Sequence, residues 1–269
     1  MKEEPKLAVV TGASQGLGRQ IAIGLIERGD RVIAISRSQV KLTELKADLG
    51  DRVFTYCGDV SDLDFVLSMS RTVIATLGDP DILINAAGVF GPIAQMEKCD
   101  PKEWAQTISI NAIAPFYLIH QFLPGMLANK WGRIINVSSA AALHVPGPLN
   151  SAYGTSKVAL NQMTRHLASE IAGTGVCANV IHPGDVLTGM WADIAEKAGA
   201  LGVMGASYTS WVDWVAQTGG DNPSKAMDLV LELISEAGAH INGHFCWVKD
   251  PLQKPIPSWD VPTTERPWN

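Results

Sequence analysis

The sequence predicts an α/β fold in which helices cover both faces of one mostly parallel sheet. Short apolar runs alternate with longer helical segments from end to end, and this alternation is typical of βαβ units. No linker interrupts it, and the 269 residues are 46% hydrophobic and 18% charged, which suits one large buried core. We therefore predict a single domain over residues 1–250, followed by a tail over residues 251–269.

The first βα unit contains a glycine-rich turn. Strand Leu7–Val10 runs into the sequence TGASQGLG, and a helix over Arg19–Arg28 follows. Such a turn brings bare backbone N–H groups and the positive end of a helix against a pyrophosphate. A tight connection that needs glycine at positive φ would look the same, because the spacing GxxxGxG is not the general dinucleotide fingerprint. The candidate ligands are Gly12, Ser14, Gln15, Gly16, Leu17 and Gly18.

The second strand, Arg31–Ser36, ends where a dinucleotide fold places the adenosine ribose. An acidic residue here would bind the ribose hydroxyls and repel a 2′-phosphate, but the sequence offers Ser36, Arg37 and Ser38 instead. An arginine between two hydroxyls suits a phosphate dianion, although an exposed loop arginine has the same appearance. We therefore favour NADP(H) over NAD(H) as the ligand.

Two further strands, Val53–Cys57 and Ile82–Ile84, are also followed by candidate ligands. Asp59 could accept a hydrogen bond from an adenine amino group or could cap the following helix. The small residues after the fourth strand would let the backbone pack closely beside a ribose. The candidate positions are Asp59, Val60, Asn85, Ala86, Ala87 and Gly88.

A long helical pattern from Pro101 to Leu127 contains Asn111 between two apolar residues. An asparagine on an apolar helix face must find hydrogen-bond partners or destabilise the fold. Asn111 therefore indicates either a bend in the helix or a satisfied core amide.

The fifth strand is followed by the side chains that are best suited to catalysis. The apolar run Arg133–Val137 is followed by Ser138 and Ser139, and a helix begins after a proline-containing loop. Tyr153 and Lys157 are four residues apart, so they share one face of that helix. A hydroxyl, a phenol and an ammonium could converge at the carboxyl end of the sheet, where open α/β folds bind ligands.

Together these motifs resemble the short-chain dehydrogenase/reductase family, of the classical type. The resemblance covers the chain from Leu7 to about Val248, and the motifs occur in the family's order. They are Thr11-Gly12-(x)3-Gly16-x-Gly18, Asn85-Ala86-Ala87-Gly88, Asn111, Ser139, Tyr153-(x)3-Lys157 and Pro183-Gly184-(x)3-Thr188. A lone YxxxK means little, but six ordered matches are specific. The resemblance implies a seven-stranded Rossmann fold and hydride transfer between a nicotinamide and a carbonyl or alcohol.

The resemblance also implies catalytic roles. Tyr153 would be the general acid in reduction and the base in oxidation. Lys157 would lower the pKa of that phenol and hold the nicotinamide ribose. Ser139 would hydrogen-bond the substrate oxygen. The family's usual serine position holds Ala140 in this chain, so Ser138 stays open as the alternative.

Two further roles follow from the same resemblance. Asn111 would hold a water that links Lys157 to solvent as a proton relay. The motif after the sixth strand would orient the nicotinamide carboxamide through Thr188 and the Val186 backbone, with Pro183 and Gly184 beside them.

The segment over about 187–222 matches the place of the family's mobile substrate lid and carries several aromatic residues. These would close over a ring or a sugar face, or would simply pack the lid on the body. We expect the substrate pocket to include Ser139, Tyr153, His144, Val145, Asn150, Phe90 and Trp191. The favoured substrate is a small polar ketone, alcohol or sugar.

Two alternative functions stay open. A 3-oxoacyl group on an acidic carrier protein is a common substrate in this family, but it needs a basic docking face, for which Lys130 and Arg133 are the candidates. The chain could also be a catalytically idle dinucleotide-binding regulatory protein, although the complete catalytic set argues against that.

Composition limits the partners. A formal net charge of −6 without a basic run argues against nucleic-acid binding. No apolar run reaches membrane-spanning length and no signal peptide is recognisable. The four scattered cysteines contain no CxxC pair, which predicts a cytoplasmic protein without a metal site. The resemblance implies a homotetramer or homodimer, and the Pro/Trp-rich tail is either a disordered end or an arm over a pocket.

Overall fold

The computed structural model describes residues 4–143 and 147–248. Seven parallel strands form one sheet in the order β3-β2-β1-β4-β5-β6-β7. They are β1 (Leu7–Thr11), β2 (Arg31–Ser36), β3 (Val53–Cys57), β4 (Ile82–Asn85), β5 (Gly132–Val137), β6 (Val176–His182) and β7 (Phe245–Trp247). The predicted seven-stranded, doubly wound Rossmann fold is confirmed. Two residues of the predicted pocket wall, His144 and Val145, lie outside the described residues, as does the tail over 251–269.

Helices cover both faces of the sheet. In the described residues they are α1 (Gly16–Arg28), α2 (Gln39–Leu49), α3 (Leu63–Leu77), α4 (Pro101–Ile108), α5 (Ala114–Ala128), α6 (Ser151–Glu170), α7 (Gly189–Ala200), α8 (Ala206–Thr218) and α9 (Pro223–Ile234). The single helix expected over Pro101–Leu127 is divided, because a π-helical segment, Ser109–Ile113, joins α4 to α5. None of the helices described is long and apolar enough to cross a membrane.

The sheet separates two buried clusters of side chains. Successive residues of β1 alternate between them, with Ala8 and Val10 in one cluster and Leu7 and Val9 in the other. Helices α1, α2 and α9 complete the first cluster, and α3, α5 and α6 complete the second. Because both faces of the sheet are buried, the strands read as continuous apolar runs rather than as alternating ones.

The winding of the sheet reverses at β1, which lies between β2 and β4. Connections therefore diverge from this point, and a crevice opens beyond the carboxyl ends of the strands. The glycine-rich turn follows β1, the small residues 86–88 follow β4, and Ser139 follows β5. Motifs that are far apart in the sequence thus meet at one edge of the sheet.

A buried chain of polar side chains ties α6 to the centre of this sheet. Asn85 of β4 donates to the Asn136 side-chain oxygen at 2.8 Å, and Asn136 of β5 donates to the Thr164 hydroxyl at 2.8 Å. Thr164 then donates to the Leu160 carbonyl at 2.8 Å, within α6. These amides are almost fully buried, so each bond satisfies a group that water cannot reach. This series of hydrogen-bonded side chains fixes where α6 lies over β5.

We predict that Asn136→Ala lowers the free energy of unfolding by about 1–3 kcal/mol, because it leaves the Asn85 amide buried without its acceptor. Urea denaturation followed by circular dichroism measures the change. Asn129→Ala is the control, since Asn129 is exposed at the end of α5. Equal stability of the two variants would show that this polar chain does not hold α6.

Candidate active site

A cleft of about 710 Å³ lies at the carboxyl edge of the sheet. Its walls come from the glycine-rich turn, the segments after β2 to β6, helix α6 and helix α7. Most of the predicted ligands line it: Gly12, Ser14, Gln15, Gly16, Leu17, Gly18, Ser36, Arg37, Ser38, Asp59, Val60, Ala86, Ala87, Gly88, Ser139, Tyr153, Lys157, Pro183, Gly184, Val186, Thr188 and Trp191. Asn85, Asn111 and Asn150 are not among the lining residues.

The glycine-rich turn packs directly against the segment after β4. Gly12 has φ +66°, and a Cβ added there would lie 3.0 Å from the Ala87 Cα atom. A Cβ at Gly18 would lie 2.4 Å from the Gly12 carbonyl oxygen, so only glycine fits. The Thr11 hydroxyl accepts hydrogen bonds from the backbone N–H groups of Ala86 and Ala87, each at 3.0 Å. Glycine is therefore required at Gly12 and Gly18 by this close contact.

The start of α1 leaves its backbone donors open toward the cleft. Gln15 precedes the helix, but its side chain does not cap it and instead accepts a hydrogen bond from Lys41. The first N–H groups of a helix have no partner within the helix, and together with the helix dipole they attract anions. This geometry can hold a pyrophosphate.

The segment after β2 places one cation at the cleft. Ser36 shares a hydrogen bond of 2.6 Å with Ser14, and Ser38 caps α2 by accepting from the Lys41 N–H at 3.4 Å. Arg37 lines the cleft, is exposed, and its guanidinium has no partner among residues 4–143 and 147–248. The guanidinium is therefore available to an anionic ligand.

Of the residues predicted to bind the adenine and the ribose, some line the cleft and one lies beneath its surface. Asp59 lines the cleft, but its carboxylate already accepts from the Ser61 N–H at 2.9 Å and the Ser61 hydroxyl at 2.7 Å. Asp62, and not Asp59, caps α3. Asn85 lies beneath the cleft, where it bonds Asn136, so it supports the wall without reaching its surface.

Three polar groups meet on the floor of the cleft. Tyr153 and Lys157 lie on one face of α6, and the Ser139 side chain hydrogen-bonds the Tyr153 phenol. The Lys157 ammonium donates to the Val137 carbonyl at 2.8 Å and lies 5.5 Å from the centroid of the Tyr153 ring. Phe90 stacks on that ring with centroids 4.6 Å apart. The predicted convergence of serine, tyrosine and lysine is present in the structure.

Burial governs the protonation of this set. It raises the pKa of the Tyr153 phenol; the Ser139 hydrogen bond opposes the rise and the Asp185 carboxylate adds to it. Burial also lowers the pKa of Lys157 from 10.5 to about 8. We expected Lys157 to lower the pKa of the phenol, but that pKa is raised, because burial of the phenol outweighs the lowering by Ser139. The phenol is thus held in its protonated form near neutral pH.

The two candidate serines have different surroundings. Ser138 is 3% exposed and donates to the Asn161 side-chain oxygen at 2.6 Å, which ties β5 to α6. Ser139 accepts from the Ala141 N–H at 3.2 Å and reaches Tyr153. The geometry favours Ser139 as the residue that faces a reacting group.

Asn111 lies in the π-helical segment and is 1% exposed. Its oxygen accepts from the Val89 N–H at 2.9 Å, and its nitrogen donates to the Val89 carbonyl at 2.8 Å and the Ser156 hydroxyl at 2.9 Å. It lies close to the lysine, because a Cβ at Gly88 would be 3.3 Å from the Asn111 oxygen and 3.7 Å from the Lys157 ammonium. Both sequence interpretations hold: the helix changes its repeat here, and the amide is satisfied.

The segment after β6 contributes residues that sequence reasoning missed. His182 lines the cleft, and its Nδ1 atom accepts from the Ala140 N–H at 3.3 Å, next to Ser139. Asp185 lines the cleft beside the Pro-Gly pair. Thr188 faces the glycine-rich turn, since a Cβ at Gly16 would lie 3.2 Å from its methyl group. The Pro-Gly motif was visible in the sequence, but the contacts of its neighbours were not.

The aromatic residues of the lid have different positions. Trp191 is 8% exposed, donates to the Val186 carbonyl at 2.6 Å and meets the Trp211 ring edge-on at 4.4 Å. Tyr208 donates to the Pro148 carbonyl at 2.7 Å, and Trp214 is 51% exposed. Trp191 and Trp211 line the cleft, whereas Tyr208 ties the lid to the body. Asn150 begins α6 and accepts from the Gly154 N–H through its backbone.

Known proteins match this chain in sequence and in fold. Residues 6–199 match the model of a family described as short chain dehydrogenase. The chain belongs to the short-chain dehydrogenase/reductase family. It therefore acts on CH–OH or C=O groups with a nicotinamide cofactor.

Individual relatives of this short-chain dehydrogenase cover most of its length. A 2,3-dihydro-2,3-dihydroxybenzoate dehydrogenase of Bacillus subtilis is 30% identical over 245 residues, 90% of this chain and 93% of that protein. A rhamnolipid-biosynthesis 3-oxoacyl-[acyl-carrier-protein] reductase of Pseudomonas aeruginosa is 33% identical over 250 residues, 89% and 93% of the two chains. An L-sorbose reductase of Gluconobacter frateurii, solved with NADPH and L-sorbose, matches with a TM-score of 0.79 and 27% identity over 92% of this chain and 96% of that chain.

The residues present in this short-chain dehydrogenase fit a nicotinamide dinucleotide. The glycine cradle leaves no space for a Cβ at Gly18, and the open N–H groups of α1 face the place of a pyrophosphate. Thr188 packs against Gly16 of this turn, so both residues border the same part of the cleft. No group of three or more His, Cys, Asp or Glu side chains in the described ranges is arranged to hold a metal ion.

We predict a stability change with pH that depends on Lys157. The folded pKa of about 8 is below the unfolded value, so above pH 8 the unfolded chain binds more protons and the free energy of unfolding rises with pH. Below pH 8 both states hold the proton and the destabilisation is fully present. Without nucleotide, the stability of the wild type relative to Lys157→Met should therefore rise between about pH 7.5 and about pH 9.5.

Urea denaturation of both proteins at the two pH values measures this change. The upper limit stays below the ordinary pKa of tyrosine, so the raised pKa of Tyr153 contributes little in this range. A constant difference between wild type and variant would contradict the lowered pKa of Lys157.

Proposed function

We propose that this protein is an NADP(H)-preferring oxidoreductase that interconverts a small polar ketone or sugar with the corresponding secondary alcohol. The observation that carries the proposal is the meeting of Ser139, Tyr153 and Lys157 on the floor of a cleft that also holds the glycine-rich turn. A nicotinamide bound there supplies or accepts a hydride at the substrate carbon. All other steps fall to side chains of this chain.

Tyr153 acts as the general acid in reduction. Its raised pKa keeps the phenol protonated near neutral pH, so the proton is available when negative charge develops on the carbonyl oxygen. The electrons of the carbonyl π bond move to that oxygen, which takes the proton and becomes the alcohol hydroxyl. In oxidation the reverse transfer applies: Tyr153 in its deprotonated form would accept the alcohol proton while the carbon loses a hydride to the bound nicotinamide.

Ser139 and Lys157 prepare this proton transfer. The Ser139 hydroxyl, which already reaches the phenol, donates to the same substrate oxygen and stabilises charge developing there. The Lys157 ammonium, held by the Val137 carbonyl, binds the nicotinamide ribose and returns a proton to the phenol. Asn111 holds the water that connects this lysine to solvent, and its closeness to Lys157 at Gly88 supports that role.

The rest of the cleft holds the cofactor. Thr188 and the Val186 backbone orient the carboxamide, and the open N–H groups of α1 bind the pyrophosphate. The Arg37 guanidinium, which pairs with none of the described residues, binds a 2′-phosphate, and this supports NADP(H) over NAD(H). The structural similarity to an L-sorbose reductase solved with NADPH supports the same preference.

The similarity to the Pseudomonas aeruginosa carrier-protein reductase makes a 3-oxoacyl-carrier substrate the second candidate. Such a carrier would have to dock beside the cleft. Lys130 precedes β5 and Arg133 lies in its first half, so both belong to the edge of the sheet opposite the cleft, and Arg133 is 2% exposed. We therefore rank this substrate below a small polar ketone or sugar.

We also propose that the protein assembles as a homodimer or homotetramer and works in the cytoplasm. Large apolar side chains are exposed on the long helices and at the start of α5: Phe116 and Val158 are 50% and 51% exposed, and Ile113, which ends the π-helical segment, is 39% exposed. A contact between copies through α5 and α6 would bury them. Buried thiols such as Cys246, whose pKa burial raises to about 12, suit a reducing compartment.

We predict that Tyr153→Phe lowers kcat by at least about a hundredfold, because the ring stays and the proton donor is lost. The affinity for NADPH, measured by its fluorescence on binding, should be nearly unchanged. Tyr56→Phe makes the same chemical change in β3, outside the cleft lining, and should keep full turnover. Undiminished turnover in Tyr153→Phe would rule out this proton donor.

We predict that Arg37→Asp reduces the preference for NADP over NAD by about tenfold or more, since it removes a charge-assisted hydrogen bond and adds a negative charge. The ratio of kcat/KM values with the two cofactors measures the preference. Arg31→Asp is the matched control, because Arg31 begins the strand that ends before Arg37 and lies at the opposite edge of the sheet. An unchanged ratio in Arg37→Asp would show that another group reads the 2′-phosphate.

A further inference from the structure

The substrate side of the cleft holds a carboxylate that neither the cofactor nor the proton transfer uses. Asp185 follows the Pro-Gly pair after β6, lines the cleft, and is half-buried. Its charge acts on Tyr153, because it contributes to the raised pKa of the phenol. Because Asp185 and Tyr153 line the same cleft, a substrate that receives the proton from Tyr153 would lie in the space that Asp185 borders.

The backbone of Asp185 is fixed from two sides by one residue. The Asp185 N–H donates to the Asp221 carboxylate at 2.9 Å, and the Asp221 N–H donates to the Asp185 carbonyl at 3.0 Å. Gly184 has φ +80°, and a Cβ there would lie 2.5 Å from the Asp221 oxygen. A Cβ at Gly220 would lie 2.2 Å from the Asp185 carbonyl oxygen. The glycines permit this contact, and the contact holds the Asp185 backbone in place beside the cleft.

Within residues 4–143 and 147–248, the Asp185 carboxylate receives one weak hydrogen-bond donor. The Trp211 indole N–H reaches it at 3.5 Å, and in the described parts of the chain no lysine or arginine pairs with it. Burial and the nearby Asp221 raise the pKa of the Asp185 carboxyl, whereas the Trp211 hydrogen bond lowers it. A half-buried carboxylate with a single long hydrogen bond retains acceptor capacity for a ligand.

The other charged groups near the lid do not offset this negative charge. Lys197 lines the cleft, but its ammonium donates to the Asp193 carboxylate at 3.1 Å and the Gly91 carbonyl at 3.0 Å. Lys157 donates to the Val137 carbonyl. The substrate side therefore presents acceptors and aromatic surface, and a carboxylate-bearing substrate would meet repulsion there.

We propose that Asp185 selects substrates that carry a hydrogen-bond donor, a hydroxyl or an ammonium, on the carbon beside the reacting carbonyl, and rejects substrates that carry a carboxylate there. The inference rests on the proposed function, since it places the reacting oxygen at Tyr153. Trp191 and Trp211 supply the apolar walls against which the substrate carbons pack. A site of this kind discriminates strongly, because a ligand without the donor leaves the carboxylate without its partner.

The selectivity would separate this enzyme from two of its relatives. The names of the Bacillus subtilis and Pseudomonas aeruginosa relatives give a benzoate and a carrier-bound oxoacyl group as their substrates. The dihydroxybenzoate in the first name carries adjacent hydroxyls, as the inference requires, but also a carboxylate, which Asp185 would repel. L-Sorbose, bound in the structurally similar reductase, carries hydroxyls beside its carbonyl, as the inference requires.

The test uses four ketones that differ only in one group beside the acetyl carbonyl: hydroxyacetone, aminoacetone, 2-butanone and acetoacetate. For the wild type with NADPH, we expect kcat/KM to be at least about tenfold higher for hydroxyacetone or aminoacetone than for 2-butanone, and lowest for acetoacetate. Asp185→Leu keeps a similar side-chain volume without a hydrogen-bond acceptor. In this variant the kcat/KM values for hydroxyacetone and 2-butanone should be within about threefold of each other. Asp185→Asn removes the charge alone, and it should raise kcat/KM for acetoacetate, relative to that for 2-butanone, by about tenfold.

Asp213→Asn is the matched control, because Asp213 is exposed on α8 and does not line the cleft. It should leave the order of the four ketones unchanged, and thermal unfolding should show that all variants are folded. Unchanged ratios in both Asp185 variants, with normal turnover, would overturn the role of Asp185 and leave the proposed function intact. Absence of turnover of all four ketones by the wild type would contradict both, and a wild-type preference for acetoacetate would contradict the inference alone.

Discussion

The hydrogen bond from the Lys157 ammonium to the Val137 carbonyl joins helix α6 to the end of strand β5. A lysine this deeply buried loses hydration, and its pKa falls to about 8. The backbone carbonyl replaces part of that hydration and fixes the direction of the side chain. Because Tyr153 lies one turn earlier on the same face, the bond also sets where the phenol lies. The Asn85–Asn136–Thr164 chain supports the same helix from beneath.

The cleft depends on close backbone contacts that this framework allows. The glycine-rich turn approaches Ala87 so closely that a Cβ at Gly12 would be 3.0 Å from its Cα atom. On the other side, Gly184 and Gly220 bring Asp185 and Asp221 together. The cofactor half of the cleft thus has open N–H donors and an arginine that pairs with none of the described residues, while the substrate half has the Asp185 carboxylate. This difference in charge distinguishes the two ends of one continuous cavity.

The fold and most of the site were predictable from the sequence because they depend on local patterns. Apolar runs that alternate with helical segments predicted the sheet, and the spacing of Tyr153 and Lys157 predicted that they share one helix face. Three features depend on contacts between distant segments and were not predictable. The π-helical segment at Asn111 reflects bonds to Val89 and Ser156, the raised pKa of Tyr153 reflects its burial, and the position of Asp185 reflects Asp221. The pattern of residues in a single sequence does not show which distant residues come into contact.

The central claim is that the groups joined by α6 perform carbonyl chemistry on a bound nicotinamide dinucleotide. The most direct measurement is the absorbance of the reduced nicotinamide during incubation with a panel of ketones and alcohols, with NADP(H) and NAD(H) in parallel. The account predicts turnover that requires the wild-type enzyme, is faster with NADP(H), and is greatest for hydroxylated ketones. Tight binding of NADPH without turnover of any compound in the panel would contradict it and would favour an idle dinucleotide-binding protein.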